Sequence, residues 1–219
     1  MNRVTDPGGS SCHDHRSMDK QNIQHVLEVW FATRERDAYN VDSRMSRWFD
    51  SDPEFDAALK EQFEGLCDDA AFDKLDAWAE HPLGRLALIL LLDMFPRRIY
   101  RDTSQAYRGD KKALKLCEQG VAKDHFQKLT AIQQLFFFMP LQHAESKRVQ
   151  KAAVKIYSSL ARRVSGTQQA TFETIAQFAE LRSDIIEAHG RFPHRDQILD
   201  RGENTAKLLP VEDVELATP

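Results

Sequence analysis

Cysteine is scarce in this chain: Cys12, Cys67 and Cys117 are the only three among 219 residues, and they lie far apart. No Cys-x-x-Cys or Cys/His finger spacing exists, which argues against a disulfide framework and against a zinc finger. Reduced thiols in a cytoplasmic protein are the expectation. Long apolar runs are lacking as well. The most apolar stretch, "LALILLLDMF" from Leu86, is too short to span a bilayer and carries Asp93. The opening "MNRVTDPGGSSCHDHRS" has no apolar core of the kind a secretory signal needs, so no signal and no membrane partner is expected. Charge of one sign is not in excess, because 30 Lys and Arg stand against 34 Asp and Glu for a net −4. A nucleic-acid partner, which would leave a strongly basic footprint, is therefore not expected. There is no Gly-rich phosphate loop, no Gly-x-Ser-x-Gly elbow and no His-Glu-x-x-His, so the familiar phosphate, serine-nucleophile and zinc-hydrolase motifs are absent.

What is present is helical patterning. A chain of this length with 42% hydrophobic residues can build one well-cored domain without a staple. Residues 1–19 read as a disordered lead-in, with Met18 a candidate second start, residues 20–209 as a single all-helical domain, and residues 210–219 as a flexible tail. Ile23, Val26, Leu27, Trp30 and Phe31 fall on one helical face. In "DPEFDAALKEQFEGL", Asp52 is placed to cap, Pro53 fits the first helical position, and acids crowd the first turn. A central helix from Pro82 to Phe95 is apolar nearly all round. Further helices are expected over Asp110–Val121, from His125 to Met139 with a break at Pro140, from near Glu145, and over Gln168–His189 with Gly190 just past its end. No alternating β-branched run marks a strand. About seven helices with short links make an all-α array.

Three segments can carry chemistry. "LLDMFPRRIYRDTSQAYRGDKK" places Asp93 at the end of an apolar helix, followed by Arg97, Arg98 and Arg101. A carboxylate there needs a partner, so a structural ion pair competes with an arginine cluster that grips a carboxylate or phosphate. "FFFMPLQHAE" offers His143 and Glu145 as acid and base, or as metal ligands, against a reading of Glu145 as a helix-start acid. "EAHGRFPHRD" holds His189, Arg191, His194 and Arg195, and repeats the Phe-Pro-basic pattern of the first segment. A metal site through Glu187, His189 and His194 lacks the Glu-x-x-His helical pattern, so no metal and no cofactor is expected.

Taken in order, "VLEVWF", "RWFDSDPEFD", "LALILLLDMFPRRIYRDTSQAY", "FFFMPLQHAE" and "HGRFPHRD" resemble the signature blocks of a bacterial family without an assigned role, domain-of-unknown-function family 924. The resemblance covers Gln21 to Leu209. It implies an α–α superhelix of the tetratricopeptide-repeat kind and supplies no reaction. The family's recurrent polar positions correspond to Trp48, Asp93, Arg97, Arg101, His143, Glu145, Arg191, His194 and Arg195. Met94 stands where glutamine is typical, and Arg98 and Asp196 stand where asparagine is frequent. The last two have opposite charges, so an Arg98–Asp196 bridge between the Phe-Pro segments is one expectation.

The functional expectation is an anionic small molecule in an Arg/His-lined pocket. Arg97, Arg101, Arg191, Arg195, Asp93 and Trp48 would contact or shape the ligand. His143, His194 and Glu145 would carry acid–base, hydrolase-like chemistry. The alternative is a helical scaffold that binds acidic peptides without catalysis.

Overall fold

The computed structural model describes residues 11–32 and 42–202. Two units divide the chain, Met1–Ala38 and Tyr39–Pro219. The first unit holds α1, Ser11–Phe31, in which Val26, Leu27, Trp30 and Phe31 are buried at the expected spacings of three and four. Neither Gly nor Pro occurs between Gly9 and Pro53, so nothing in the sequence breaks this helix. It begins at Ser11, inside the stretch whose composition reads as a lead-in. Residues 1–10 and the tail beyond Gly202 lie outside the described residues.

The second unit begins with a short helix that sequence patterning does not reveal, α2 at Asp42–Phe49. Next comes α3, Pro53–Ala71, which starts as its sequence dictates. The Asp52 side chain accepts from the Phe55 N–H at 3.0 Å, Pro53 opens the helix, and Glu54 and Asp56 lie in its first turn. The central helix runs on past the expected stop at Phe95. It is built of α4 (Pro82–Ile89), a π-helical turn over Leu90–Met94, and α5 (Phe95–Ile99). Pro96 has no N–H for the Leu92 carbonyl four residues back. Through the preceding π turn the N–H of Phe95 instead reaches the carbonyl of Leu90, five residues back. The helix therefore widens by one residue at its only carboxylate instead of ending there.

Residues 86–92 of this helix are at most 1% exposed, as a helix apolar on all sides must be. Arg85, also buried, donates to His125 Nδ1 and to the carbonyls of Leu116 and Ala79, at 3.2, 2.9 and 2.6 Å. Those bonds tie α4 to α6 (Asp110–Ala122) and satisfy a guanidinium that meets no carboxylate there. After α6 the expected helix from His125 is a 3₁₀ turn, and α7 (Ala131–Phe137) starts afresh at Thr130. Thr130 and Gln133 form a reciprocal capping box that sets this start. The break at Pro140 is real: α8, Met139–His143, carries Pro140 in its first turn. The last two helices, α9 (Lys147–Arg163) and α10 (Gln169–His189), pack along one another, and Gly190 ends α10 with φ +72°.

Among the described residues the fold is all-α, with no strand. Within the second unit α3 packs on α5, α4 on α6, α6 on α8 and α8 on α9, an order compatible with an α–α superhelix. No described helix is long and apolar enough to cross a membrane.

Candidate functional site

The π turn directs Asp93 into the protein, where the residue is 0% exposed. Arg97, one helical turn on, donates to it at 2.5 Å and to its backbone carbonyl at 2.8 Å. From the other side comes His143, the last residue of α8, with Nδ1 2.8 and 3.0 Å from the two carboxylate oxygens. The end of α8 is itself held in place. Buried Gln150 of α9 donates to the carbonyls of Leu141, Gln142 and Ala144, groups that a helix end leaves unmet.

Asp110, the first residue of α6, joins the two Phe-Pro segments. Its Oδ2 accepts from Arg97 at 2.9 Å and from Arg195 at 3.2 Å. Close backbone approach makes this possible: a Cβ on the preceding Gly109 would lie 2.2 Å from the Leu92 carbonyl oxygen of the π turn. The Arg195 guanidinium lies 4.6 Å from the ring centres of both Tyr107 and Phe192, and that of Arg97 lies 5.4 Å from Tyr107.

Around this network lie two cavities. The first, about 210 Å³, is lined by Arg97, Arg101, Tyr107, His143, Arg182, His194 and Arg195, with Asp102, Ala106 and Ile198. The second, about 490 Å³, lies beside Asp93, Asp110, Glu145 and Arg201 and shares Tyr107, His143 and Arg195 with the first. His143 is 3% exposed, and its Nε2 is buried without a hydrogen-bond partner.

The charges set the protonation states. Burial, and then the nearby Arg97 and Arg182, hold the His143 pKa well below that of a free imidazole. Burial pushes the Asp93 carboxyl up, while Arg97, Arg195 and Arg182 pull it down. With Arg97 donating directly to it, Asp93 acts as an ionised acceptor. His143 is then neutral with its proton on Nδ1 and a lone pair on Nε2. The Arg182 pKa is lowered to about 10 by burial and by Arg195 and Arg97. His194, on the exposed rim, is lowered to about 4 by partial loss of solvent and by Arg195, Arg182 and Arg97.

The residues expected from sequence do not all converge. Asp93, Arg97, His143 and Arg195 form one buried cluster, with Arg101 and His194 on the first cavity. Arg101 also donates to Asp56 at 3.2 Å. Glu145 lines the second cavity, but its carboxylate is taken by the Phe192 N–H at 2.9 Å and by Arg201 at 2.8 and 2.9 Å. It anchors the segment after α10 instead of orienting a histidine. Arg191 lines neither cavity, because it pairs with Asp196 at 2.8 Å. Trp48 is a core residue 4.8 Å from Phe136. The expected Arg98–Asp196 bridge is not made: Arg98 donates to Asp56 and to the Asp50 carbonyl, each at 2.5 Å. The segments meet through Asp110 instead. Among the described residues no three His, Cys, Asp or Glu side chains gather as a metal site.

Asp110, Tyr107 and Arg182 are the members that the sequence analysis leaves out. Arg182 has a signal in the sequence, since it falls in register with Phe172, Ile175, Ala179 and Ile186 as a cation on the buried stripe of α10. Asp110 reads as an ordinary helix-start acid, and nothing local distinguishes it.

The family model of DUF924, "Bacterial protein of unknown function", matches residues 26–208, which include every residue of this cluster. The chain belongs to that family. A solved structure of a protein of unknown function from Agrobacterium tumefaciens is 29% identical, with a TM-score of 0.68 over 94% of this chain and 100% of that one. No curated protein matches the chain.

Proposed function

We propose that this chain binds a small organic anion in the arginine-lined cavity and that His143 acts on it as a proton acceptor. One observation carries the reading. A buried imidazole, fixed at Nδ1 by a carboxylate and left with an unpartnered Nε2, lines a cavity ringed by four arginines. A neutral imidazole of that tautomer accepts a proton from water or from a ligand O–H. Asp93, held by Arg97, then stabilises the imidazolium. The acid–base residue is His143. His194 sits on the rim and is neutral near pH 7, and Glu145 is committed to Arg201.

Among the arginines, Arg97 is spent on Asp93 and Asp110. Arg195 has a buried Nε without a partner, which makes it the leading donor for an anion, with Arg101 beside it on the cavity wall.

The test is thermal denaturation of wild type, Arg195→Gln and Arg101→Gln with inorganic phosphate, acetate and succinate. A bound anion raises the wild-type midpoint with its concentration, and less so in both variants. Equal shifts in all three proteins would remove the anion site. Stabilisation by an acidic peptide where none of the small anions acts would favour the non-catalytic scaffold.

A further inference from the structure

The larger cavity beyond His143 has no part in the reading above. Tyr107, His143 and Arg195 line both spaces, so the two adjoin at these side chains. Most charges around the larger one answer each other. Arg108 pairs with Asp68, Arg201 with Glu145, and Asp110 with Arg97 and Arg195, while Lys111 is exposed at the rim. The remaining wall is largely hydrocarbon, from Leu114, Pro140, Ala144 and Leu199.

Two residues of that wall each carry a polar atom left unmet. His143 Nε2 and Asp110 Oδ1 are both buried without a hydrogen-bond partner. Both are acceptors. The Nε2 keeps its lone pair because the ring proton goes to Asp93, and Asp110 is a carboxylate held between two guanidinium groups. Buried acceptors left without a donor are costly and rare. A ligand that carries an O–H or N–H at the junction meets that deficit, and its apolar remainder matches the wall beyond.

We propose that the two cavities form one site for an amphiphilic acid of three parts: a carboxylate head among the arginines, a hydroxyl or amide N–H at the junction, and an apolar body in the larger cavity. This rests on the anion reading above and adds the substrate class to it.

Calorimetric titration with acetate, octanoate, 2-hydroxyoctanoate and 3-hydroxyoctanoate tests it. Octanoate binds tighter than acetate, by about fourfold for each methylene that is buried. One of the two hydroxy acids gains about fivefold to tenfold more. Leu114→Trp removes the chain-length gain and leaves acetate unchanged. Leu114 is only half-buried, so the fold tolerates the change, and Leu199→Trp serves as an independent check. Equal affinities for acetate and octanoate overturn the three-part site while leaving the anion reading intact. Hydroxy acids that bind no tighter than octanoate overturn the donor and leave the junction to water. If no carboxylate of any length binds, the anion reading itself has failed, and this proposal falls with it.

Discussion

His143 and Asp93 meet across fifty residues of sequence, with the imidazole Nδ1 2.8 and 3.0 Å from the two carboxylate oxygens. Arg97 closes the same carboxylate from the opposite side. Three polar side chains, each at most 4% exposed, thus form a unit in which every member depends on Asp93. A buried carboxylate is worth little as a net stabiliser, yet removing it leaves its partners stranded.

Asp93→Asn therefore weakens the fold even though the side chain keeps its shape. Arg97 loses an ionic partner in a buried setting and retains Asp110, so a loss of about 3 kcal/mol is expected in urea denaturation. The imidazole also loses the carboxylate that fixes its proton. In ¹⁵N NMR the wild-type His143 shows a single tautomer, protonated at Nδ1, and the variant shows a mixture. A loss below about 1 kcal/mol, with the tautomer unchanged, would mean that the ring is held by its packing alone.

Acid weakens the fold through the histidines. The pKa values of His143, His125 and His194 are depressed in the folded state, that of His194 to about 4, below the ordinary 6.5. Between about 4 and 6.5 the unfolded chain binds more protons than the folded one, so stability is full above that window and is lost as pH falls through it. The raised Asp93 carboxyl acts in the opposite sense and titrates together with His143. The urea midpoint should fall below pH 6.5, and His194→Gln should flatten that fall. In NMR the His194 ring should titrate near 4, and the His143 ring should titrate well below a free imidazole. A His194 pKa at or above 6.5 would falsify the electrostatic picture of the rim.

Much of this was legible in the sequence, for identifiable reasons. Helix faces follow from spacing, and the start at Asp52–Pro53 follows from capping chemistry, both of which act within a few residues. Asp93 stood out because a carboxylate in an apolar run must find a partner. The direction in which it points was not legible. That depends on the π turn, a consequence of Pro96 and of what surrounds the helix, and one residue added to a turn rotates everything after it by about 100°. Arg191 and Arg195 looked equivalent in "RFPHRD". The 3₁₀ turn at Pro193–Arg195 buries one and turns the other toward Asp196. Asp110 stayed hidden because its role comes from a backbone approach through Gly109, which no local pattern encodes.

That approach can be broken with one methyl group. An alanine Cβ at position 109 would sit 2.2 Å from the Leu92 oxygen and 2.9 Å from its carbonyl carbon, so backbone has to move. Gly109→Ala should cost about 1–3 kcal/mol, against the gain usual for Gly→Ala at a helix start. It should also move Asp110 away from Arg97 and Arg195, so the Arg195 guanidinium protons exchange faster with solvent. A neutral or stabilising substitution would show that the two backbones part without cost.

Asp110 and Arg195 supply the last prediction, because single substitutions cannot isolate their pair. Asp110 Oδ2 also holds Arg97 at 2.9 Å, so Asp110→Asn disturbs two ion pairs at once. A double-mutant cycle with Arg195→Gln cancels the Arg97 contribution and leaves the coupling, expected at about 1–2 kcal/mol for groups in direct buried contact. Arg195→Lys separates charge from shape. An ammonium restores the charge near Asp110, but it cannot stack its plane at 4.6 Å on both Tyr107 and Phe192. The lysine variant should therefore recover less than half of the stability lost in Arg195→Gln. Full recovery would mean that charge alone joins the two Phe-Pro segments, and that the aromatic walls contribute nothing to holding Arg195 over the cavities.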